Sequence, residues 1–280
     1  MGGNVEKLRF QKLLFLYTMK KSQPEYDFVP YKFGCYSFSV KADMNTMVKK
    51  NILEETENIY TKNVEAKFFQ QLKTEDQKIL EEVIADYGKM NSNALIKHTY
   101  LNFPFFAIRS SIAKEILQSQ LYERVEKVIP KAVEATLFTI GYEGISLELY
   151  LQKLVRNNVK LLVDVRKNPL SMKFGFSKTL LKRYCNSLDI EYCHIPEVGI
   201  DSDKRKLLET QNDYDRLFDE YRKTNLKKTI EIQKQILDLL KKHKRIALTC
   251  FEAKSCQCHR SHLATSISQL PDFNYPLFHL

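Results

Sequence analysis

The chain has 280 residues, 44% of them hydrophobic and 28% charged, which supplies one large core or two ordinary ones and excludes a disordered or low-complexity polymer. No uninterrupted apolar run approaches membrane-spanning length and the first residues hold no secretory core, so a soluble, cytoplasmic protein with no membrane partner is expected. Forty-four basic residues against thirty-four acidic ones give +10, with the larger excess after Glu134; this favours a polyanionic partner, nucleic acid or nucleotide, unless the lysines only form a solvated face.

In chain order, Val5–Lys21 carries Leu8, Leu13, Leu14, Leu16 and Tyr17 among lysines and predicts an amphipathic helix. The stretch Phe28–Val40, alternating around Gly34, predicts extended chain, and Asp43–Glu55 a second helix. Val64–Tyr87 predicts a long helix stopped by Gly88. Asn93–Tyr100, a break at Pro104 and a helix near Ser111–Gln120 complete a mostly helical α+β part. The pattern changes beyond Pro130. Leu137–Ile140, Val159–Val165, Glu191–Ile195 and Ile246–Cys250 read as buried strands. Between and behind them lie helices over Ser146–Asn157, Ser177–Leu188, Tyr214–Lys242 (one or two) and from His259. Near-continuous apolar strands alternating with helices predict a small, mostly parallel α/β sheet with helices on both faces. The expected domains are residues 1–130, helical and binding a partner or nucleic acid, and residues 135–280, α/β with an anion-binding pocket.

Ligands of open parallel sheets bind beyond the carboxyl ends of the strands. The four strands are followed by Gly141-Tyr142-Glu143-Gly144, by Asp164-Val165-Arg166-Lys167, by His194-Ile195-Pro196-Glu197, and by the segment from Cys250 to Arg260. The polar groups therefore converge on one sheet edge. Six cysteines, three of them between 250 and 258, do not form a disulfide framework. Cys250, Cys256 or Cys258 can supply a thiolate, lowered in pKa by the helix start at His259 and by Arg260, or Cys250 can be a small buried hydrophobe. A zinc site is the other reading: Cys250, Cys256 and Cys258 with His259 or His262. The one-residue gap between Cys256 and Cys258 departs from the usual knuckle, so no cofactor is the leading expectation.

The remaining candidates are ligand-binding Gly141, Tyr142, Glu143, Arg166, Lys178, Glu197, His259 and Arg260, and proton-moving His194 and Glu252 beside Cys250 and Cys258. Arg166 suits phosphate because its fork binds two oxygens, whereas Asp164 fits an internal ion pair. Gly141 permits a close backbone approach. Tyr142, Phe174 and Phe176 can stack on a base or fill the core.

The strings TIGYEG, LLVDVRKNPLS, FGFSK, HIPEVG and LTCFEAKSCQCHRSHLA resemble, in that order, the family called domain of unknown function 488, over about residues 136–265. The resemblance implies a compact α/β fold with these motifs around one pocket. More distantly, Leu162–Arg166 and the strand–Cys250…Arg260-Ser261 loop are similar to rhodanese domains, with a longer span between cysteine and arginine. Residues KLRFQKLLFLYTM, FVPYKFGCYSF and MVKKNILEE resemble the Panacea antitoxin-like domain. That likeness implies a module contacting a protein partner, in phage-defence or toxin–antitoxin systems. The functional expectation is a phosphate-bearing ligand, nucleotide or nucleic acid, held at the strand ends with thiolate-dependent chemistry. The alternative is a non-enzymatic module for nucleic acid or protein.

Overall fold

The computed structural model describes residues 3–201, 203, 208, 210–254 and 257–280. Contacts divide the chain into two compact units, Met1–Ile129 and Pro130–Leu280.

In unit 1, β1 (Asn4–Glu6) leads into α1 (Lys7–Met19), and a hairpin of β2 (Val29–Tyr31) and β3 (Gly34–Tyr36) precedes α2 (Phe38–Lys49). Strands β4 (Leu53–Glu55) and β5 (Ile59–Lys62) join β1 in an antiparallel sheet ordered β1-β5-β4. Helices α3 (Thr74–Tyr87), α4 (Ser92–Asn102) and α5 (Ala113–Glu126) follow. Phe15 of α1 organises part of the core, its ring 4.7–5.2 Å from those of Phe28, Phe103 and Phe106. Three expectations need correction here. The extended run expected to Val40 ends at Tyr36, because the Ser37 hydroxyl accepts from Val40 N and starts a helix. That helix ends at Lys49, and Leu53–Glu55 pairs with β5 instead of continuing it. The helix expected from Val64 starts only at Thr74, where Glu75 and Asp76 in the first turn suit the positive end of its dipole.

Unit 2 alternates β6 (Thr136–Gly141), α6 (Leu147–Arg156), β7 (Leu161–Asp164), α7 (Lys178–Asn186) and β8 (Glu191–His194). Then come α8 (Gln211–Lys223), α9 (Asn225–Lys228), α10 (Ile230–His243), β9 (Arg245–Cys250), α11 (His259–Ser268) and β10 (Leu277–His279). The sheet order is β10-β6-β9-β7-β8, with every pairing parallel. Because side chains alternate along a strand, Leu161, Val163, Ile246 and Leu248 share a face, packed on Phe218 and Tyr221 of α8, Ile236 and Leu240 of α10, and Leu263 of α11. The opposite face is covered by α6, whose Tyr150 hydroxyl donates to Thr249 Oγ1 at 2.7 Å. The expected parallel α/β sheet covered on both faces is present. Truncating a fully buried residue such as Leu248 to alanine would cost about 2–5 kcal/mol. Among the described residues, no helix is long and apolar enough to cross a membrane.

Candidate functional site: a thiol, carboxylate and imidazole cluster

The register that pairs Gly141 with Cys250 and Asp164 with both Thr249 and His194 brings four strand ends to one edge. Cys250 closes β9, and the loop after it returns to α11 at Cys258 and His259. Several groups pin that loop. Tyr142 N and Glu143 N both donate to Phe251 O, at 3.1 and 2.9 Å. Glu143 Oε2 accepts from Ala253 N at 2.9 Å. Arg260, 1% exposed, donates Nη1 to Glu252 O at 2.5 Å and Nη2 to Ala253 O at 3.1 Å. Gly141 is required by contact: a Cβ there would lie 1.9 Å from Glu252 O.

This scaffold gathers Cys250 Sγ, the Glu252 carboxylate, Cys258 Sγ and a ring nitrogen of His259 so that all lie within 4.8 Å of one another. Cys250 Sγ is 3.1 Å from Glu252 Oε2 and 3.5 Å from His259 Nδ1. His259 Nε2 is 3.0 Å from Val165 O. A carbonyl can only accept, so the proton sits on Nε2 and Nδ1 turns a lone pair toward the thiols. Both cysteines and His259 are buried, while Glu252 is half-buried. Burial, the Cys250 thiol and the Glu252 charge push the Cys258 thiol well up, against the opposing pull of Arg260. Two sulfurs, a carboxylate and an imidazole whose far nitrogen is already oriented can hold a divalent metal ion. Of the zinc ligands considered from sequence, Cys250, Cys258 and His259 come together, and Cys256 lies outside the described residues. His262 is not in the cluster; its ring faces Phe218, with centroids 4.5 Å apart.

A cleft of about 290 Å³ adjoins the cluster, with Cys250 and His259 in its wall beside Tyr142, Arg166, Lys167 and Phe251. Arg166 is tied down: Nε and Nη2 bond the two Asp164 oxygens at 2.8 and 2.5 Å, and Nη1 bonds Tyr142 Oη and Phe176 O. Burial opposes its charge, but Asp164 outweighs burial and raises the guanidinium above its ordinary range. Tyr142 and Phe176 stack on each other at 4.2 Å and are buried, so their faces serve packing. Phe174 is 39% exposed. His194 Nδ1 pairs with Lys178 Nζ at 3.0 Å, and its Nε2 donates to Arg166 O at 2.8 Å. Glu197 is exposed, just beyond β8. These three stand apart from the four-residue cluster. Sequence reasoning placed Lys167 at a strand end without giving it a role, and missed the Val165 carbonyl and the cleft residues Leu170 and Met172; the last two are 76% and 104% exposed, which no apolar periodicity signals.

Residues 146–267, within this α/β unit, match the family described as Domain of unknown function DUF488. No curated protein and no solved structure matches the chain.

Proposed function

We propose that unit 2 binds a divalent ion of the zinc class through Cys250, Glu252, Cys258 and His259, and that the adjoining cleft takes a phosphate-bearing ligand, a nucleotide or nucleic acid. The convergence of four donor atoms within 4.8 Å carries this reading. Two thiolates and a carboxylate packed so closely repel one another, and a dication is what lets all three ionise together. The mixed sulfur, nitrogen and oxygen set suits zinc better than magnesium or calcium. Such an ion, when bound, acts as a Lewis acid or fixes the loop.

The chain's own residues supply the rest. Val165 O orients His259; Glu143 and Arg260 hold the loop backbone that carries Glu252. Glu252, only half-buried, is the donor that can give way to a ligand oxygen. Exposed Lys167 in the cleft wall offers a cation to phosphate, since the guanidinium of Arg166 and both Nη groups of Arg260 already face protein oxygens, leaving only the buried Arg260 Nε without a partner.

A second reading keeps Cys250 as a thiolate nucleophile, because it reaches the cleft wall. Site-resolved alkylation of the native protein, with and without chelator, separates the two. Under the metal reading the protein as purified holds one zinc-class ion, and Cys250 and Cys258 resist alkylation until chelator is added. Selective reaction of Cys250 near neutrality in protein that contains no metal would overturn it in favour of the nucleophile. Retention on a single-stranded oligonucleotide that falls with salt tests the ligand class.

A further inference from the structure

A second cavity, of about 740 Å³, lies wholly within unit 1, bounded by the first turns of α1, the β2–β3 hairpin and β5. That is within the size range of small-molecule sites. Its walls carry Lys7, Lys12, Lys32 and Lys41, with Glu6 the acid among them. Lys7 and Lys41 both bond Glu55 Oε1 at 2.5 Å, so two ammonium groups share one carboxylate and positive charge is left over. Lys32 is exposed at the rim, 5.9 Å from the centre of the Tyr31 ring.

Lys12 is the telling residue. Its side chain is buried, 2% exposed, yet its Nζ donates to neutral carbonyls, Phe33 O at 2.5 Å and Cys35 O at 2.9 Å. Carbonyls orient an ammonium without cancelling its charge, and a buried cation is costly unless an anion meets it. Burial lowers the pKa of this amine, against the opposing pull of the neighbouring Cys35 side chain; burial pushes the Cys35 thiol itself up, which favours its neutral form. Beside these cations stand rings: Phe33, an apolar residue 48% exposed, lines the cavity together with Tyr31 and Tyr36. One buried and two partly exposed cations with flat apolar surface beside them suit a compact ligand that is anionic at one end and planar at the other.

We propose that this cavity binds a small anion bearing a flat ring, of the nucleoside-phosphate class, with the phosphate toward Lys7, Lys12 and Lys41 and the ring against Phe33 and Tyr31. The site is separate from the cluster of unit 2 and does not depend on it. Because Lys12 lines the cavity but is only 2% exposed, a terminal phosphate suits it better than the backbone of a duplex.

The test is calorimetric titration of the full chain with adenosine monophosphate and with inorganic phosphate, together with crosslinking by azido-adenosine monophosphate and peptide mapping. The nucleotide should bind at one site in unit 1, about tenfold or more tighter than inorganic phosphate, and crosslink within residues 31–36 or 58–60. Lys32→Glu and Phe33→Ala, both at exposed positions that leave the core untouched, should each weaken binding about fivefold or more with unchanged melting temperature. Absence of nucleotide binding, crosslinks confined to residues 130–280, or affinity unmoved by both variants would overturn the proposal. Inorganic phosphate binding as tightly as the nucleotide, or competition by an acidic peptide but not by the nucleotide, would overturn it as well.

Discussion

Cys250 and His259 face each other at the head of the β9–α11 loop, Sγ to Nδ1 at 3.5 Å, while the other nitrogen of the same ring is spent on Val165 O at 3.0 Å. An imidazole held from behind by a carbonyl presents one lone pair in a fixed direction, the usual arrangement of a histidine that ligates metal. Removing a direct ligand should therefore cost more than removing an orienting partner. Cys258→Ser and His259→Ala are expected to lose more than about 100-fold in zinc affinity, measured by competition with a chromophoric chelator. Chelation of the intact protein should also lower its melting temperature. An ion present at about 100 times its dissociation constant contributes about 2.7 kcal/mol. Equal metal content in the wild type and both variants would dispose of the site.

Glu143 acts one step further out. It is not one of the four clustered residues; its carboxylate takes the Ala253 N–H and so fixes the backbone next to Glu252. Glu143→Ala should weaken metal binding about 10- to 100-fold, the range for lost outer partners. Glu143→Gln retains a side-chain acceptor and should restore most of it. A merely structural role would move the melting temperature of both variants alike and leave the affinity ratio flat.

Gly141 tests the same loop by volume instead of charge. A methyl group there would overlap Glu252 O at 1.9 Å and press on Arg260 Nη2 at 3.1 Å. Gly141→Ala should cost about 1–3 kcal/mol in urea unfolding and release the metal at the same time. Gly144 is the control: its φ of +75° makes alanine strained, but nothing lies within 4 Å of the added carbon. Gly144→Ala should lose stability without losing the ion.

What the sequence disclosed followed the length and continuity of its signals. The strands β6 and β9 are six-residue runs with every position buried, and such runs predict a parallel sheet covered on both faces. The sheet of unit 1 was illegible for the opposite reason. Its strands are three or four residues long, too short for a period to show, and Leu53–Glu55 is a strand only because Ile59–Lys62 lies alongside it. At the site, strand ends and cysteines were readable and Cys250, Cys258 and His259 were among the ligands of the zinc reading, whereas Glu252 as their fourth partner was not. Cys250, Glu252, Cys258 and His259 do not make a paired-cysteine knuckle, and a carboxylate two residues beyond a strand-end cysteine reads as readily as an acid–base group. Arg166 and Arg260 were visible as cations; only the structure shows that carbonyls and Asp164 hold them.

Asp164 and Arg166 make the last prediction. The pair is buried, 0% and 5% exposed, and the carboxylate also accepts from the Arg166 backbone at 3.1 Å and the Tyr192 hydroxyl at 2.6 Å. Burial and the Asp164 charge together raise the Tyr192 phenol, so it remains a donor across the ordinary pH range. Breaking the pair from one side strands a guanidinium away from water. Asp164→Ala should destabilise unit 2 by about 3–5 kcal/mol. The double variant Asp164→Leu/Arg166→Met removes both charges and should recover part of that loss, since a buried ion pair often contributes little over an apolar pair of similar volume. Urea unfolding of the single and double variants measures both. A double variant no more stable than Asp164→Ala would show instead that the contacts of Arg166 with Tyr142 and Phe176 O, on the cleft side, matter more than its charge balance.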